Sequence, residues 1–340
     1  MASTQSLVTM MNTIRDNASP TYQERVPQAT RDNISAVGSP LLQYSDTMNE
    51  FLNALVNRIG LVLVRNKEAR NPLAVLKQGS VPLGKDIEEI YTNPAKAETY
   101  NPKSTDLLAQ VTPDTKAIYH RLNRRDRYTV TISNQQLRTA FIEWEKLDEL
   151  ISSIVSSLYS GNYIDEFLLM KQTFASAIAN NKIITQEITA INSAETAREF
   201  ITTARTIFTN MGFPGSGYNA YSKSGGKGDP VITWTPPEDI RFIIRSDVQA
   251  YTDVNVLASA FNMSKSDFLG QTLVVDDFDS ATNCAAIIMD KSYTQIYDNL
   301  FEMTEFINAS NLTYNYYLHV WQTYSVSPLV NAVAFTVPAH

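Results

Sequence analysis

Apolar residues recur at helical spacing in two regions of the first half of the chain. Gly60 supplies a stop for a helix over residues 46–59, whose apolar face is Phe51, Leu52, Leu55, Val56 and Ile59. The stronger pattern covers about residues 134–159, with Ser133 and Gln136 as a capping-box pair. Gly161-Asn162 is expected to end this helix, and a second helix is predicted from Ile164 to about Asn180.

Beyond Ile191 the pattern alternates between short helices and short strands. A helix opens at Asn192 and Glu195 and stops at Gly212, and the Gly- and Ser-rich residues 213–229 predict a loop. The other predicted elements are a helix at Val254 to Phe261 and strands at Leu61 to Arg65, Ile240 to Arg245, Thr272 to Val275, Ala285 to Met289, Gln295 to Tyr297, Leu312 to Val320 and Val330 to Thr336. The predicted fold class is therefore α+β.

Two segments lack such a pattern. Residues 1–45 mix polar residues and prolines with scattered apolar ones, which predicts an extended arm outside the core. Residues 66–130 contain five prolines and many charges, with too few apolar residues for a core of their own. An excursion of this length in a compact domain is usually functional. Its final part, toward Ser133, alternates as a strand does.

The composition disfavours several classes of protein. The 340 residues are 44% hydrophobic and 19% charged, which predicts a folded chain of one large or two ordinary domains. A net charge of −7 disfavours a dedicated nucleic-acid binder. No stretch is apolar enough for a signal peptide or a membrane helix, so we expect a soluble chain with no membrane partner. The single cysteine, Cys284, predicts a small buried residue and no disulfide.

The stretch GSVPLGKD, from Gly79 to Asp86, resembles a phosphate-binding loop. It has both glycines and the lysine, but Asp86 replaces the hydroxyl residue that would bind magnesium. The residues before it form a poor strand, and the acidic residues after it are halted by Pro94. We therefore expect a protruding loop, and a nucleotide-binding enzyme that uses Gly79–Lys85 is only the alternative function.

Catalytic, metal-binding and cofactor-binding patterns are absent from the sequence. His319 lies among tyrosines in a predicted strand, which favours a packed, hydrogen-bonded residue over a general base. The acidic cluster Asp276, Asp277 and Asp279 lacks the spacing of a calcium loop and is expected to be solvated. We expect no catalytic residue, no metal ligand and no cofactor.

The densest positive run is His120, Arg121, Arg124, Arg125 and Arg127. Two interpretations stay open: the run binds phosphate or an acidic partner, or it is a solvated strand face. The same excursion also carries acidic residues between positions 86 and 89. A projecting loop with both charges is better suited to pairing with copies of itself than to binding DNA.

Long stretches of the sequence resemble a known family. They are NRIGLVLVR (57–65), GSVPLGKDIEEIYT (79–92), LRTAFIEWEKLDELISSI (137–154), DVNVLASAFNMSKSDFLG (253–270), YDNLFEM (297–303) and NYYLHVWQTYSVSPLVNAVAF (315–335). In these stretches the sequence resembles the major capsid proteins of phi29-like podoviruses, which share the HK97-type capsid fold of tailed bacteriophages.

The resemblance implies a role for each segment. Residues 1–45 would be an N-terminal arm, residues 66–130 an extended β loop over the adjacent subunit, and residues 183–305 an axial domain. The peripheral domain would comprise residues 46–65, 131–182 and 306–340, with a long spine helix at about 134–159. Some relatives append an immunoglobulin-like domain, whereas this sequence ends a few residues past Phe335, so no outward-facing decoration role is carried over.

The resemblance also implies function and partners. The chain would self-assemble in the host bacterial cytoplasm into pentamers and hexamers of an icosahedral head, with packaged double-stranded DNA in non-specific proximity. Scaffolding, portal and head fibre or decoration proteins would be further partners. The residues expected to form ion pairs between subunits are Lys85, Glu88, Glu89, Arg124 and Arg125.

Overall fold

The computed structural model describes most of the chain. The described residues are 4–44, 46–51, 54, 71–97, 99, 110–223, 230–252, 271–278, 283–308, 310–311 and 313–338. The predicted strand at Leu61 to Arg65, the predicted helix at Val254 to Phe261 and the acidic residue Asp279 lie outside them.

The secondary structure is a mixture of helices and strands. The helices are α1 (Thr4–Asp16), α2 (Pro20–Arg25), α3 (Ile34–Gln43), α4 (Asn134–Ala140), α5 (Trp144–Ala179), α6 (Ala194–Met211), α7 (Ala220–Lys223) and α8 (Ser246–Tyr251). The strands are β1 (Gly79–Ser80), β2 (Ile87–Thr92), β3 (Thr115–His120), β4 (Arg124–Ser133), β5 (Ile184–Glu187), β6 (Ile240–Arg245), β7 (Thr272–Val275), β8 (Cys284–Asp290), β9 (Thr294–Asn308), β10 (Thr313–Val326) and β11 (Ala332–Thr336). The predicted α+β class is confirmed.

The chain forms two compact units. The first comprises Met1–Asn71, Arg125–Glu166 and Leu300–Trp321, and the second comprises Pro72–Arg124, Phe167–Asn299 and Gln322–His340. Each unit is therefore assembled from three separate stretches of sequence.

The N-terminal residues belong to the core of the first unit, and the prediction of an extended arm outside the core was wrong. Leu7, Met11 and Ile14 follow helical spacing along α1 and are buried in one cluster with residues of β4 and β10. The side chain of Ser19 accepts a hydrogen bond from the Tyr22 amide and caps α2. Because these helices are short and polar on their outer sides, composition alone did not reveal them.

The single helix predicted over about residues 134–159 is two helices, because α4 ends at Ala140 and α5 begins at Trp144. Helix α5 then runs through Gly161, where the sequence predicted the end. Its 36 residues span about 54 Å at 1.5 Å per residue. A Cβ atom on Gly161 would lie 3.3 Å from the ring of Tyr128, whose hydroxyl donates to Asp165 at 2.7 Å. Glycine costs roughly 1 kcal/mol inside a helix, and here it permits the close approach of that ring. The predicted capping pair is confirmed at α4, where the backbone amide of Gln136 donates to Ser133 Oγ at 3.2 Å.

The core of the second unit is a five-stranded sheet with the order β5-β11-β8-β6-β7. Strand β8 is buried on both sides, which is the burial expected of a central strand covered on both faces. On one side Phe200 of α6 meets Phe335 edge to face, with ring centroids 5.3 Å apart. The strands predicted at Ile240 to Arg245 and Thr272 to Val275 have the predicted bounds.

Two further sheets complete the architecture. One has the order β1-β9-β10-β4, and the other is the antiparallel hairpin of β2 and β3. Strand β9 has 15 residues and β10 has 14, so the strand predicted at Gln295 to Tyr297 is much longer than expected.

Candidate assembly surface

The GSVPLGKD stretch is a turn between two strands. Gly79 (φ 134°) and Gly84 (φ 83°) adopt backbone conformations that favour glycine. Gly79 pairs with Tyr297 of β9 in parallel register, and β2 begins directly after Asp86. A phosphate-binding loop requires a helix at that point, so the stretch cannot present helical amide groups to a phosphate. It leads instead into the hairpin.

The hairpin has one open face, which we call the hairpin face. Cross-strand pairs such as Glu88 with Tyr119 and Ile90 with Ala117 place six exposed side chains on one side. They are Glu88, Ile90, Thr92, Thr115, Ala117 and Tyr119. Ile90 is 62% exposed and Tyr119 is 55% exposed, although both lie in regular strands. Adjacent exposed apolar groups on an ordered element are typical of a surface that binds a partner.

The opposite side of the hairpin is anchored by a polar cluster. His120 is buried, and its Nε2 lies 3.0 Å from Glu89 Oε2 while its Nδ1 lies 2.8 Å from Ser325 Oγ. Ser327 Oγ donates to the other carboxylate oxygen of Glu89 at 2.7 Å. Because Ser327 binds Glu89 and Ser325 binds His120, the cluster ties the hairpin to the C-terminal segment of its own unit.

A second set of contacts holds the far end of the hairpin. The Tyr91 hydroxyl donates to the Ile232 carbonyl, and the Ile232 amide donates to Asn93 Oδ1 at 3.0 Å. Asn93 Nδ2 also donates to the Pro230 carbonyl at 3.1 Å. The hairpin is therefore fixed to its own unit along one side, and the side chains of the hairpin face are exposed among the described residues.

The five residues predicted for contacts between subunits have different surroundings. Lys85 is exposed and has no hydrogen bond or ion pair within the described part of the chain. Glu88 is exposed and accepts from the Tyr119 hydroxyl at 2.8 Å, which raises the pKa of Tyr119. Glu89 belongs to the anchoring cluster. Arg124 is only 5% exposed and donates to Gln322 and Tyr324, whereas exposed Arg125 lies over the Trp321 ring at 5.3 Å.

Sequence reasoning did not find the anchoring cluster. Ser327 is 238 positions from Glu89, and nothing local to either residue announces the contact. The alternation of β2 carries a partial signal, because Glu88 and Glu89 must point to opposite sides of one strand. Only one of those two carboxylates could therefore face outward.

The other chemical groups have structural surroundings. Burial raises the pKa of the Cys284 thiol to about 12, which fits the predicted buried, unreactive residue. Asp276 and Asp277 were expected to be merely solvated, but both accept from Lys171 Nζ, at 2.8 and 2.7 Å. Across the described ranges, no group of three or more His, Cys, Asp or Glu could hold a metal ion.

Comparison with known proteins shows the family to which the chain belongs. A family model described as the Phi29-like phage major capsid protein matches residues 11–336. The chain belongs to this family. The major capsid protein of Bacillus phage PZA is 37% identical over 336 residues, which cover 97% of this chain and 73% of that relative. The major capsid protein of Streptococcus phage Cp-1 is 30% identical, with 92% and 90% covered.

Solved structures show the fold of this phi29-like capsid protein. A chain of the capsid structure of Staphylococcus phage Andhra matches with a TM-score of 0.64 and 16% identity, covering 79% of this chain and 84% of that one. A chain from a structure of the head fiber and inner core protein gp22 of bacteriophage P68 matches with a TM-score of 0.59. The HK97-type capsid fold predicted from the resemblance is confirmed.

The family fixes the class of function. This chain is a major capsid protein of a tailed bacteriophage, a structural protein of the virion shell and not an enzyme. Capsid proteins of this family act by assembling with one another. The described residues contain no helix long and apolar enough to cross a membrane.

Proposed function

We propose that this capsid protein assembles into pentamers and hexamers of an icosahedral head that encloses double-stranded DNA, and that the hairpin face is a principal contact between copies. The observation that carries the second part is the exposure of Ile90 and Tyr119 on a hairpin fixed along its other side. Burying one such side chain contributes roughly 1.5–3 kcal/mol, and a shell repeats the contact in every subunit.

The charged residues around the hairpin face give the contact its direction. Lys85 and Glu88 are exposed and lie at the entry and on the face of the hairpin, so they can meet opposite charges of a neighbour. Individual exposed ion pairs contribute only about 0–1 kcal/mol, so their role is orientation more than affinity. Glu89 and Arg124 already have partners in their own chain, and a contact with a neighbour would have to compete with these bonds.

The roles of the segments follow from the same proposal. Residues 66–130 serve as the extended loop, residues 1–45 as an N-terminal segment that packs into the core of the first unit, and residues 183–305 as the axial domain. Residues 46–65, 131–182 and 306–340 serve as the peripheral domain, except that β11 pairs with β5 and β8 in the sheet of the second unit. Scaffolding, portal and head fibre or decoration proteins are proposed as further partners, and only the family resemblance supports them.

Electron microscopy of the expressed chain, alone and with a scaffolding protein, tests the proposal. We expect closed shells or capsomers from the wild type and unassembled subunits from Ile90→Asp. The matched control is Val75→Asp, because Val75 is 61% exposed but lies outside the hairpin. Wild-type protein that stays monomeric under both conditions would refute the assembly proposal, and normal shells from Ile90→Asp would refute the role of the hairpin face.

A further inference from the structure

The sheet pair β4–β10 has an outward side of arginine, aromatic and hydroxyl side chains, which we call the arginine–aromatic face. Arg125 lies over the Trp321 ring at 5.3 Å and Arg127 over the Tyr317 ring at 5.0 Å. Thr131 Oγ1 donates to Asn315 Oδ1 at 2.6 Å on the same side. All members of the face keep exposed surface: Arg125, Arg127, Thr129, Thr131, Asn315, Tyr317, His319 and Trp321.

The other side of the same strands is core. Ile132, Leu318 and Val320 are buried with the helices of the first unit. The fold therefore requires apolar residues at the inward positions of β4 and β10. It does not require arginines at the outward positions. The arginines on the outward side are therefore candidates for a function other than folding.

The two arginines form a fixed patch of positive charge. Neither has a carboxylate partner within the described part of the chain. Stacking on an aromatic ring leaves the guanidinium N–H groups directed outward and limits their motion. The chain as a whole has a net charge of −7, so this positive surface contrasts with the rest of the molecule. Glu302 of β9 is an exposed carboxylate on the same side of the sheet as Thr304, whose hydroxyl is 3.0 Å from His319 Nε2.

We infer that the arginine–aromatic face binds the phosphate backbone of duplex DNA. Guanidinium groups bind phosphate through paired, charge-assisted hydrogen bonds, and hydroxyl and amide side chains commonly add further contacts to phosphate oxygens. The face offers both kinds of group and no aliphatic side chain. The hairpin face has the opposite composition, with Ile90 and Tyr119 exposed beside one carboxylate. The inference rests on the proposal that the shell encloses DNA, but the binding itself does not require a shell.

Fluorescence anisotropy with a labelled DNA duplex tests the inference on the full chain over a range of salt concentrations. The test variant is Arg125→Gln/Arg127→Gln, and the matched control is Arg121→Gln, which removes an exposed arginine outside the face that is paired with Asp86. We expect the test variant to bind more weakly and its logarithmic salt slope to be shallower by about 2, at roughly 0.9 per phosphate contact. Arg121→Gln should keep the wild-type slope, and Arg125→Lys/Arg127→Lys should recover most of the affinity.

The outcomes separate this inference from the proposed function. Equal binding by the test variant and Arg121→Gln, or no binding of the wild type at low salt, would overturn the inference and leave the assembly proposal standing. Loss of shells without loss of DNA binding in the test variant would assign the face to a neighbouring copy and also overturn the inference. Unchanged assembly with weakened DNA binding supports it.

Discussion

The hairpin β2–β3 and the strand pair β4–β10 each have one side fixed to the protein and one side exposed, but the two are built in opposite ways. The hairpin is anchored by polar groups, with Glu89 and His120 at the centre, and exposes Ile90 and Tyr119. The strand pair is anchored by an apolar core and exposes arginines on aromatic rings. A polar anchor leaves the apolar residues free for another protein, whereas an apolar anchor leaves the charged residues free for an anion.

The largest effect should follow from breaking the apolar anchor. Leu318 is fully buried beneath the arginine–aromatic face, and Leu318→Ala should cost about 2–5 kcal/mol of unfolding free energy. Thr129→Ala, on the exposed side of the same sheet, should cost less than about 1 kcal/mol. Chemical denaturation of both variants measures the difference. Similar losses of unfolding free energy in the two variants would contradict a sheet with one buried side and one exposed side.

Breaking the polar anchor should have the next largest effect. Glu89→Ala leaves buried His120 without its carboxylate partner, which should cost about 1–3 kcal/mol. The adjacent change Glu88→Ala, on the hairpin face, should stay within about 0.5 kcal/mol. Amide hydrogen exchange over residues 87–92 provides the measurement, with faster exchange expected only in Glu89→Ala. Equal exchange in the two variants would contradict the anchoring role of Glu89.

A smaller effect is expected on the exposed arginines. Arg127→Gln removes one stacking contact with Tyr317, which is worth about 0.5–1 kcal/mol at an exposed site. Lys85→Gln removes a charge that has no partner in the described residues and should leave the melting temperature unchanged. If both changes lowered the melting temperature by the same amount, the stacking of Arg127 on Tyr317 would not contribute to stability.

The smallest effect concerns Glu305 on β9. Partial burial raises the pKa of its carboxyl, so the charged form is disfavoured in the folded protein. Stability linked to this group is present at low pH and is lost as the pH rises through the folded pKa. Glu305→Gln should therefore stabilise the protein by roughly a few tenths of a kcal/mol at pH 7, after solvent screening, and by nothing at acid pH. A gain that persists unchanged at low pH would exclude this cause.

The two surfaces also show how far the sequence predicts the molecule. Strong local patterns located the strands at residues 240–245 and 272–275, and the family resemblance supplied the fold. The helix through Gly161 was missed because packing against Tyr128 outweighs the intrinsic preference of glycine. The outward direction of Ile90 and the burial of Arg124 were missed because both depend on partners more than 100 positions away.

One measurement tests the division of roles between the two faces most directly. Sedimentation velocity, under conditions in which the wild type assembles, compares Ile90→Asp with Arg125→Gln/Arg127→Gln. The account predicts that Ile90→Asp sediments as an unassembled subunit and that the double variant forms particles like those of the wild type. Assembled Ile90→Asp together with an unassembled double variant would contradict it.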